Sequence, residues 1–299
     1  MKMKKRIFTI TLVIFNCVIS HAQIDRLKSE INRLIKDKNA TVGVSIIANN
    51  RKDTIGINEN LHYPMQSVFK LPIALTVLSE VDKGALRLEQ EIRISSTDLL
   101  PDTWSPIRNK YPKGTTMPLS EVIRYTVSES DNNGCDILLQ LIGGTTAVEE
   151  FLSKYELTDI SIKASEKEMH ETPDLQFRNR ATPVSLTKLL TMFYGVGNKS
   201  ILSQKSFDFL WKVMVDTSTG GNRLKGQLPK GTRVAHKTGT SGINERNIIA
   251  ATHDIGIIIL PTGDPVFISI LVSNSAEDIK TNEKIISDIA RKVWEYYTK

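Results

Sequence analysis

The chain has 299 residues, of which 40% are hydrophobic and 24% are charged, and it carries a formal net charge of +6. This composition excludes a disordered protein, a collagen-like protein and a disulfide scaffold. The charge does not indicate a nucleic-acid partner, because residues 1–22 hold four basic side chains and no acid, so that only +2 belongs to the rest.

Residues 1–22 have the pattern of a secretory signal peptide. A basic head, Met1–Arg6, precedes an apolar run, Ile7–Ile19, and the small-residue end Ser20-His21-Ala22. We expect cleavage after Ala22 and transfer across the inner membrane to the periplasm. The alternative, a retained membrane anchor, is disfavoured because the apolar run is too short to span a bilayer well.

The remaining chain offers no signal for a disulfide or a metal site. Cys135 is its only cysteine, so no internal disulfide can form, and we give this residue no role. The histidines show no metal-binding spacing. We therefore expect no metal and no cofactor.

The secondary-structure elements follow from hydrophobic periodicity and turn residues. A helix over Ile24–Lys38 is followed by a hairpin with strands Thr41–Ala48 and Asp53–Asn58. The middle of the chain is almost entirely helical, with candidate helices at Ser67–Lys83, Leu119–Val127, Asp131–Leu141, Thr145–Tyr155, Pro183–Tyr194 and Ser203–Val215. The last part holds three strands and a long closing helix, at Arg233–Thr240, Asn247–Leu260, Val266–Ser273 and about Ala276–Tyr297.

Strands at both ends of the chain around a helical middle indicate an α/β fold of the α+β type. We expect one antiparallel five-stranded sheet, flanked by helices and interrupted by an inserted all-α domain. The sequence then divides into a discontinuous α/β domain, residues 23–62 and 216–299, and an all-α domain, residues 63–215. Residues 158–182 lack clean periodicity, and an irregular segment of that length is usually functional or disordered.

Three short motifs carry chemistry. In Ser67-Val68-Phe69-Lys70 the serine and the lysine are three residues apart, so on a helix the ammonium group can reach and assist the hydroxyl. The same pattern recurs in Ser185-Leu186-Thr187-Lys188, which we interpret as a solvated helix face without a role. Ser130-Asp131-Asn132 alone would be a helix N-cap, and Lys237-Thr238-Gly239 alone would be a strand that ends in a glycine turn.

Together and in this order, the three motifs resemble the set found in class A β-lactamases and penicillin-binding proteins. Two further stretches, Trp104-Ser105-Pro106 and Arg246–Ala251, are similar to the family's substrate-flanking loop and to the strand after the third motif. The resemblance covers essentially the whole mature chain. It implies the serine β-lactamase and penicillin-binding fold, with the active site between the two domains.

The resemblance implies a role for each residue in opening a β-lactam ring. Ser67 would attack the carbonyl, and either Lys70 or, through a water, Glu166 would take its proton. Ser130 would pass a proton to the leaving nitrogen, and the N–H groups of Ser67 and Thr240 would form an oxyanion hole. The residues that would bind the substrate or the water are Trp104, Asn132, His170, Lys237, Thr238, Thr240, Ser241 and Arg246. Within that set, the ring carboxylate would be held by Lys237, Thr238, Thr240 and Arg246.

Glu166 distinguishes the functions that share the three motifs. A β-lactamase needs a base that holds a water beside the acyl ester. Glu166 has the family's place for this base, in an omega loop at about 161–180, with His170 where an Asn is usual. A D,D-peptidase, which would acylate and stall, and a β-lactam sensor domain are the alternatives, and Glu166 argues against both. The expected partner is a small β-lactam molecule, bound by a monomer.

The omega loop departs from the commonest family pattern. An arginine near its start usually pairs with an aspartate near its end, but these places hold Ala164 and Asn179. The departures resemble a divergent extended-spectrum subgroup whose cleft accepts bulky cephalosporins, and Ser241 would offer the substrate a further polar contact. We therefore expect a cephalosporinase whose loop is held by other contacts.

Overall fold

The structure is a computed structural model that describes residues 23–195 and 200–299. The predicted signal peptide, residues 1–22, lies outside the described residues. Helix α1 spans residues 23–35 and agrees with the first predicted helix. Among the helices of the described chain, none is both long enough and apolar enough to cross a membrane.

A five-stranded antiparallel sheet lies at the centre of the molecule, as predicted. The strands of the described chain are β1 (Thr41–Ala48), β2 (Asp53–Ile57), β3 (Tyr63–Pro64), β4 (Glu91–Ser95), β5 (Gly114–Pro118), β6 (Ile160–Ser161), β7 (Arg180–Ala181), β8 (Val234–Thr240), β9 (Ile249–Ile259) and β10 (Pro265–Ser275). The order in the large sheet is β2-β1-β10-β9-β8, and each neighbouring pair is antiparallel. The third motif, Lys237-Thr238-Gly239, therefore lies in an edge strand.

Each of the six helices predicted for the middle of the chain is present, with ends shifted by a turn or less. The helices that follow α1 are α2 (Lys70–Asp82), α3 (Pro106–Lys110), α4 (Leu119–Ser128), α5 (Asn132–Ile142), α6 (Thr145–Lys154), α7 (Glu166–Glu171), α8 (Pro183–Phe193), α9 (Gln204–Val215) and α10 (Ile279–Tyr297). The hairpin β4–β5 and helix α3 were not predicted. Most residues of β4 and β5 are at least partly exposed, so they lack the buried runs that mark the strands of the large sheet.

Two hydrophobic cores lie on opposite faces of the sheet. One joins α2 and the helices around it to sheet residues such as Ile255 and Phe267. The other joins α1 and α10 to sheet residues such as Ile46 and Ile268. The helical core thus continues onto one face of the sheet, and the division into two domains stays a prediction.

Helix α2 is the central helix of the first core. Every side chain from Lys70 to Ser79 is buried, so this part of the helix has no solvent-facing stripe. Lys70 is thereby held in the interior at the start of the helix. Cys135, on the adjoining helix α5, is fully buried too, and burial raises the pKa of its thiol, as expected for a cysteine that packs as a small hydrophobic residue.

Candidate active site

Ser67 and Lys70 meet at the start of α2. A 3₁₀ turn over Gln66–Phe69 leads directly into the helix, and residues three apart in such a segment lie on one face. The Nζ atom of Lys70 donates to Ser67 Oγ at 2.9 Å. The structure therefore brings together the serine and the lysine of the first motif.

Lys70 has three further contacts, from parts of the chain that are distant in sequence. Its Nζ donates to the Ser130 carbonyl at 2.9 Å and to Asn132 Oδ1 at 2.5 Å, and it lies 2.8 Å from Glu166 Oε1. Lys70 is fully buried, while the side chain of Glu166 is 12% exposed. A buried ammonium group is tolerated only when it is paired and hydrogen-bonded, and these contacts meet that requirement. Glu166 and Ser67 therefore both contact the amine of Lys70.

Ser130 contacts both lysines of the site. Its φ is 60°, a left-handed conformation that is costly for a residue with a β-carbon. In this conformation its carbonyl accepts from Lys70, while its Oγ accepts from Lys237 Nζ at 2.9 Å. Burial and, next in size, repulsion from Lys70 hold the pKa of Lys237 well below its usual range. The second and third motifs thus meet at the Ser130 hydroxyl.

Asp131 supports this arrangement without facing the cavity. It is the N-cap of α5, one residue later than the predicted helix start implied, and its carboxylate also accepts from Ser105 Oγ at 2.9 Å and from the Ile107 N–H at 2.7 Å. These bonds join α5 to the loop that carries Trp104. The indole of Trp104 is 60% exposed, so it forms a rim above the motif residues.

Both the oxygen and the nitrogen of the Asn132 amide form hydrogen bonds within the protein. Its Oδ1 accepts from Lys70, and its Nδ2 donates to Thr103 Oγ1 at 2.5 Å. An amide nitrogen has two hydrogens, so one remains for a ligand. That hydrogen is the group available for the substrate contact predicted at Asn132.

The omega loop is tied by the side chain of Asn179, not by an ion pair. Its Oδ1 accepts from the N–H groups of Lys163 at 2.7 Å and Ala164 at 2.9 Å, and its Nδ2 donates to the Ala164 carbonyl at 2.7 Å. Asn179 is fully buried, so water does not compete for these bonds. The expectation that other contacts hold this loop is confirmed.

Asp136, which the sequence analysis did not identify, holds the backbone of Glu166. Its two carboxylate oxygens accept from the N–H groups of Glu166 and Lys167, each at 2.8 Å, and so cap the first turn of α7. Burial raises the pKa of Asp136 to about 6. Asp136 lies four residues after Asn132 in α5, and this spacing on one helix face was the available signal.

Asp136 is expected to make the stability of the protein depend on pH. Since its pKa is about 6 in the folded protein and 3.8 ordinarily, the folded chain binds this proton more tightly than the unfolded chain. Relative to an Asp136→Asn variant, the free energy of unfolding should rise by roughly 3 kcal/mol as the pH falls from 7 to below 4. Thermal or denaturant unfolding of both proteins across this range measures the difference. Parallel pH curves would show that Asp136 does not titrate in this way.

The site opens into two adjoining cavities. The first, of about 270 Å³, is lined by Gln66, Ser67, Trp104, Ser130, Asn132, Glu166, Thr219, Gly220, Arg223, Thr238 and Thr240. The second, of about 210 Å³ beside the omega loop, is lined by Gln66, Thr103, Asn132, Glu166, Met169, His170, Pro173, Gln176, Thr240, Ser241 and Gly242. Lys70 and Lys237 lie behind this lining, where they contact Ser67 and Ser130.

The structure does not bring Arg246 to the cavities, which corrects the prediction. Arg246 is exposed in the turn between β8 and β9 and belongs to the lining of neither cavity. The arginine of the first cavity is Arg223, whose Nη2 donates to Thr240 Oγ1 at 2.8 Å and whose Nε lies 3.2 Å from Glu283 Oε1. Arg223 lies in an irregular segment with no periodicity, so nothing in the sequence places it near the third motif.

Ser241 and His170 line the second cavity. The Ser241 hydroxyl donates to the Gly242 carbonyl and accepts from the Ala251 N–H, each at 3.0 Å. Its single hydrogen is thus used within the loop, and only acceptor capacity remains for a ligand. His170 is exposed on α7, one turn after Glu166.

The second S-x-x-K pattern differs from the interpretation as a solvated face. Lys188 is exposed, but Ser185 is buried. The Oγ of Ser185 is hydrogen-bonded to Thr182 at the first turn of α8. Neither residue lines either cavity. That the second S-x-x-K pattern has no catalytic role stays a prediction.

The arrangement is suited to nucleophilic attack by a serine. The Lys70 amine contacts both the Ser67 hydroxyl and the Glu166 carboxylate. The Ser130 hydroxyl is hydrogen-bonded to the Lys237 amine. Across residues 23–195 and 200–299, no group of three or more His, Cys, Asp or Glu side chains is placed to hold a metal ion. The prediction that no metal is used stays a prediction.

Comparisons with known proteins agree on one family. The model of the β-lactamase enzyme family matches residues 26–297. The chain is 56% identical over 298 residues to the β-lactamase VEB-1 of Pseudomonas aeruginosa, with 99% of each chain covered. The crystal structure of the TLA-3 extended-spectrum β-lactamase matches with a TM-score of 0.89 and 47% identity, over 92% of this chain and 99% of that one. A class A β-lactamase structure from Bacteroides cellulosilyticus matches with a TM-score of 0.87 and 37% identity, over 92% and 98%.

Proposed function

Because the chain belongs to the β-lactamase enzyme family, and to class A within it, we propose that it hydrolyses the β-lactam ring of penicillins and cephalosporins and so confers antibiotic resistance. The observation that carries this proposal is the position of Lys70 Nζ, 2.9 Å from Ser67 Oγ and 2.8 Å from Glu166 Oε1. A D,D-peptidase or a sensor needs the serine and the lysine. It does not need a carboxylate at this place.

In the first half of the reaction, Ser67 attacks the lactam carbonyl and becomes acylated. Its proton passes to Glu166 through a water, or to Lys70 after Lys70 has given a proton to Glu166, which lies 2.8 Å from Nζ. The oxyanion that forms accepts from the N–H groups of Ser67 and Thr240, and removing one such donor typically costs ~10²–10³ in rate. Ser130, whose Oγ is 2.9 Å from Lys237 Nζ, gives a proton to the leaving nitrogen.

In the second half, Glu166 activates a water that hydrolyses the acyl ester and frees Ser67. The carboxylate must be held closely, because a misplacement of about 1 Å can cost 10²-fold in rate. Asp136 supplies this restraint at the Glu166 N–H, and Asn179 supplies it at the ends of the loop. His170, one turn further on α7, flanks the same water.

The substrate carboxylate binds at the edge strand. Thr238, Thr240 and Arg223 line this side of the cavity, and Lys237 lies behind them. The lowered pKa of Lys237 means that its charge is poorly supported by its surroundings. An arriving carboxylate favours the charged form, so substrate binding and protonation of Lys237 assist each other.

The protein acts as a periplasmic monomer after removal of residues 1–22. Their basic head, apolar run and small-residue end support export. The residues assigned to the reaction all belong to one chain, so the site needs no second copy. No nucleic acid takes part.

A chromogenic cephalosporin tests this function. We expect sustained turnover by the purified protein, unchanged by a metal chelator, and the same activity in the periplasmic fraction of cells that express the full chain. The active species should begin at Gln23 and elute at the mass of one chain. A single stoichiometric burst without turnover would refute hydrolysis and favour the peptidase or the sensor.

The substrate range extends to cephalosporins with bulky side chains. The second cavity lies beside Asn132 and Glu166, where the acyl side chain of a bound substrate would project, and its outer wall is formed by His170 and Ser241. The neutral amide tie at Asn179 replaces an ion pair across the loop. A relative of known structure, TLA-3, is described as an extended-spectrum enzyme.

Values of kcat/KM for benzylpenicillin, cephaloridine and cefotaxime test the substrate range. We expect hydrolysis of both cephalosporins, including cefotaxime with its large oxyimino group, because the second cavity gives that group space beside Glu166. Efficient hydrolysis of benzylpenicillin with negligible activity on both cephalosporins would overturn the proposal. Each assay is run with the same enzyme preparation, so differences in folding cannot produce the ranking.

A further inference from the structure

His253 is a buried histidine that the mechanism above does not use. It lies on β9, paired with Gly239 of the third motif, and it is fully buried. Its Nε2 is 2.8 Å from the Pro64 carbonyl. Its Nδ1 is buried and, among the described residues, has no partner in hydrogen-bonding geometry, although the backbone of Thr252 interacts with the ring and opposes the lowering of its pKa. Since a carbonyl can only accept, Nε2 carries the hydrogen and Nδ1 keeps an unsatisfied lone pair.

The unsatisfied Nδ1 atom shows that packing alone does not explain a histidine here. An apolar side chain of similar size would avoid the unpartnered ring nitrogen, but it could not donate to the Pro64 carbonyl. Tyr63 packs the edge of its ring against the imidazole, with the ring centroids 6.4 Å apart. Burial lowers the pKa of His253 to about 4, so the ring is neutral at pH 7 and adds no charge to the site. Its polar contribution is the hydrogen bond to Pro64.

Pro64 begins the short segment that sets the position of Ser67. Gln66, directly before the nucleophile, has a φ of 44°, an unfavourable conformation that surrounding contacts must maintain. The Met65 N–H donates to the Asn179 carbonyl at 2.7 Å, which joins the segment to the omega loop. On the other side, a β-carbon added to Gly239 would lie 2.6 Å from the Met65 carbonyl. The segment therefore lies in direct contact with β8.

We propose that His253 is a positioning residue that holds the segment Pro64–Ser67 against β8 and so fixes the distance between the two N–H groups of the oxyanion hole. One of these groups belongs to Ser67 and the other to Thr240, the last residue of β8. His253 bridges them, because its backbone is paired with Gly239 and its side chain holds Pro64. Its own carbonyl accepts from Arg223 Nη1 at 2.9 Å, so it also anchors the arginine of the cavity. The inference rests on the proposed function.

The test uses proteins that also carry Glu166→Gln, so that the acyl-enzyme persists and acylation is observed alone. His253→Leu removes the donor, whereas His253→Gln keeps an N–H near the position of Nε2. We expect His253→Leu to slow acylation by roughly tenfold, less than the ~10²–10³ for complete loss of an oxyanion-hole donor. It should also move the infrared carbonyl band of the acyl ester to higher wavenumber, because the carbonyl oxygen is less strongly hydrogen-bonded. His253→Gln should restore the rate and the band.

Tyr63→Phe is the matched control. It removes a buried hydroxyl beside His253 that also lacks a hydrogen-bond partner among the described residues. It should leave both the rate and the band unchanged, since it does not alter the contact with Pro64. Thermal unfolding establishes that each variant is folded. A loss of stability alone would not move the carbonyl band.

Two outcomes would overturn the inference. One is a folded His253→Leu protein with an unchanged rate and band, and the other is a folded His253→Gln protein as impaired as the leucine variant. If neither variant folds, ¹⁵N NMR of the unaltered protein decides: a proton on Nε2 supports the inference, and a proton on Nδ1 overturns it. Failure of the unaltered protein, with Glu166 and His253 both intact, to hydrolyse any β-lactam would instead refute the proposed function.

Discussion

Replacing Glu166 with glutamine is expected to slow hydrolysis of the acyl ester by ~10²–10⁴, the usual contribution of a general base, and to slow it more than acylation of Ser67, for which Lys70 is the alternative base. Glutamine keeps the size of the side chain but cannot take a proton from the water. The acyl-enzyme should therefore accumulate. Intact mass measured after mixing with a penicillin should show one added substrate mass per chain, and steady-state turnover should fall by the same factor.

Glu171→Gln is the matched control for this experiment. Glu171 lies in the same helix α7 but is exposed, with Lys167 at 3.9 Å as its ion-pair partner. The substitution makes the same change in charge, and turnover should stay at the parent rate. If the Glu166→Gln protein instead turned over like the parent, the carboxylate would not be the base that the mechanism requires, whereas a protein that remained unmodified would make Glu166 the base of acylation as well.

Replacing Ser67 with alanine is expected to abolish the covalent adduct altogether. Among the described residues, the other motif hydroxyl, Ser130 Oγ, is bonded to Lys237 and serves the leaving nitrogen in the mechanism. Turnover should fall to the background rate, and intact mass should show no addition with any β-lactam. The stability of the protein should change little, because Lys70 keeps its contacts with Ser130, Asn132 and Glu166.

Ser185→Ala provides the comparison for Ser67→Ala, because Ser185 belongs to the second S-x-x-K pattern of the chain. Its Oγ is bonded within the first turn of α8, and Ser185 lines neither cavity. We expect some loss of stability and full turnover. An adduct that survives Ser67→Ala would show that Ser67 is not the nucleophile. Loss of the adduct in a folded Ser185→Ala protein would show that Ser185 has a catalytic role.

The sequence predicted the parts of the site that depend on local geometry. Ser67 and Lys70 are three residues apart at a helix start, and a helix N-cap was expected within Ser130-Asp131-Asn132, so these relations follow from the helix alone. The five-stranded sheet followed from buried runs and turns. The contact between Ser130 and Lys237, which are 107 positions apart, cannot be predicted from local sequence. It was expected only because the order of the three motifs resembles that of a known family.

The residues that sequence reasoning missed act through tertiary contacts. Arg246 was expected at the cavity because it lies shortly after the third motif, yet the turn between β8 and β9 leaves it exposed, and Arg223 occupies the cavity from an irregular segment. Asp136 has a helical spacing that could have been noticed, but its partners are backbone N–H groups of another segment, which carry no sequence signature. His253 was missed for the same reason, since its acceptor is the carbonyl of Pro64.

The amide tie at Asn179 also limits which sequences can be reached from this one by single substitutions. An aspartate at this place would have the same shape, but it would set a negative oxygen against the Ala164 carbonyl, which now accepts from Nδ2. An arginine in place of Ala164, which is 1% exposed, would bring a buried cation toward an uncharged amide. Each change alone is unfavourable, and only both together would recreate an ion pair. The two ways of holding the loop are thus separated by single substitutions that each destabilise it.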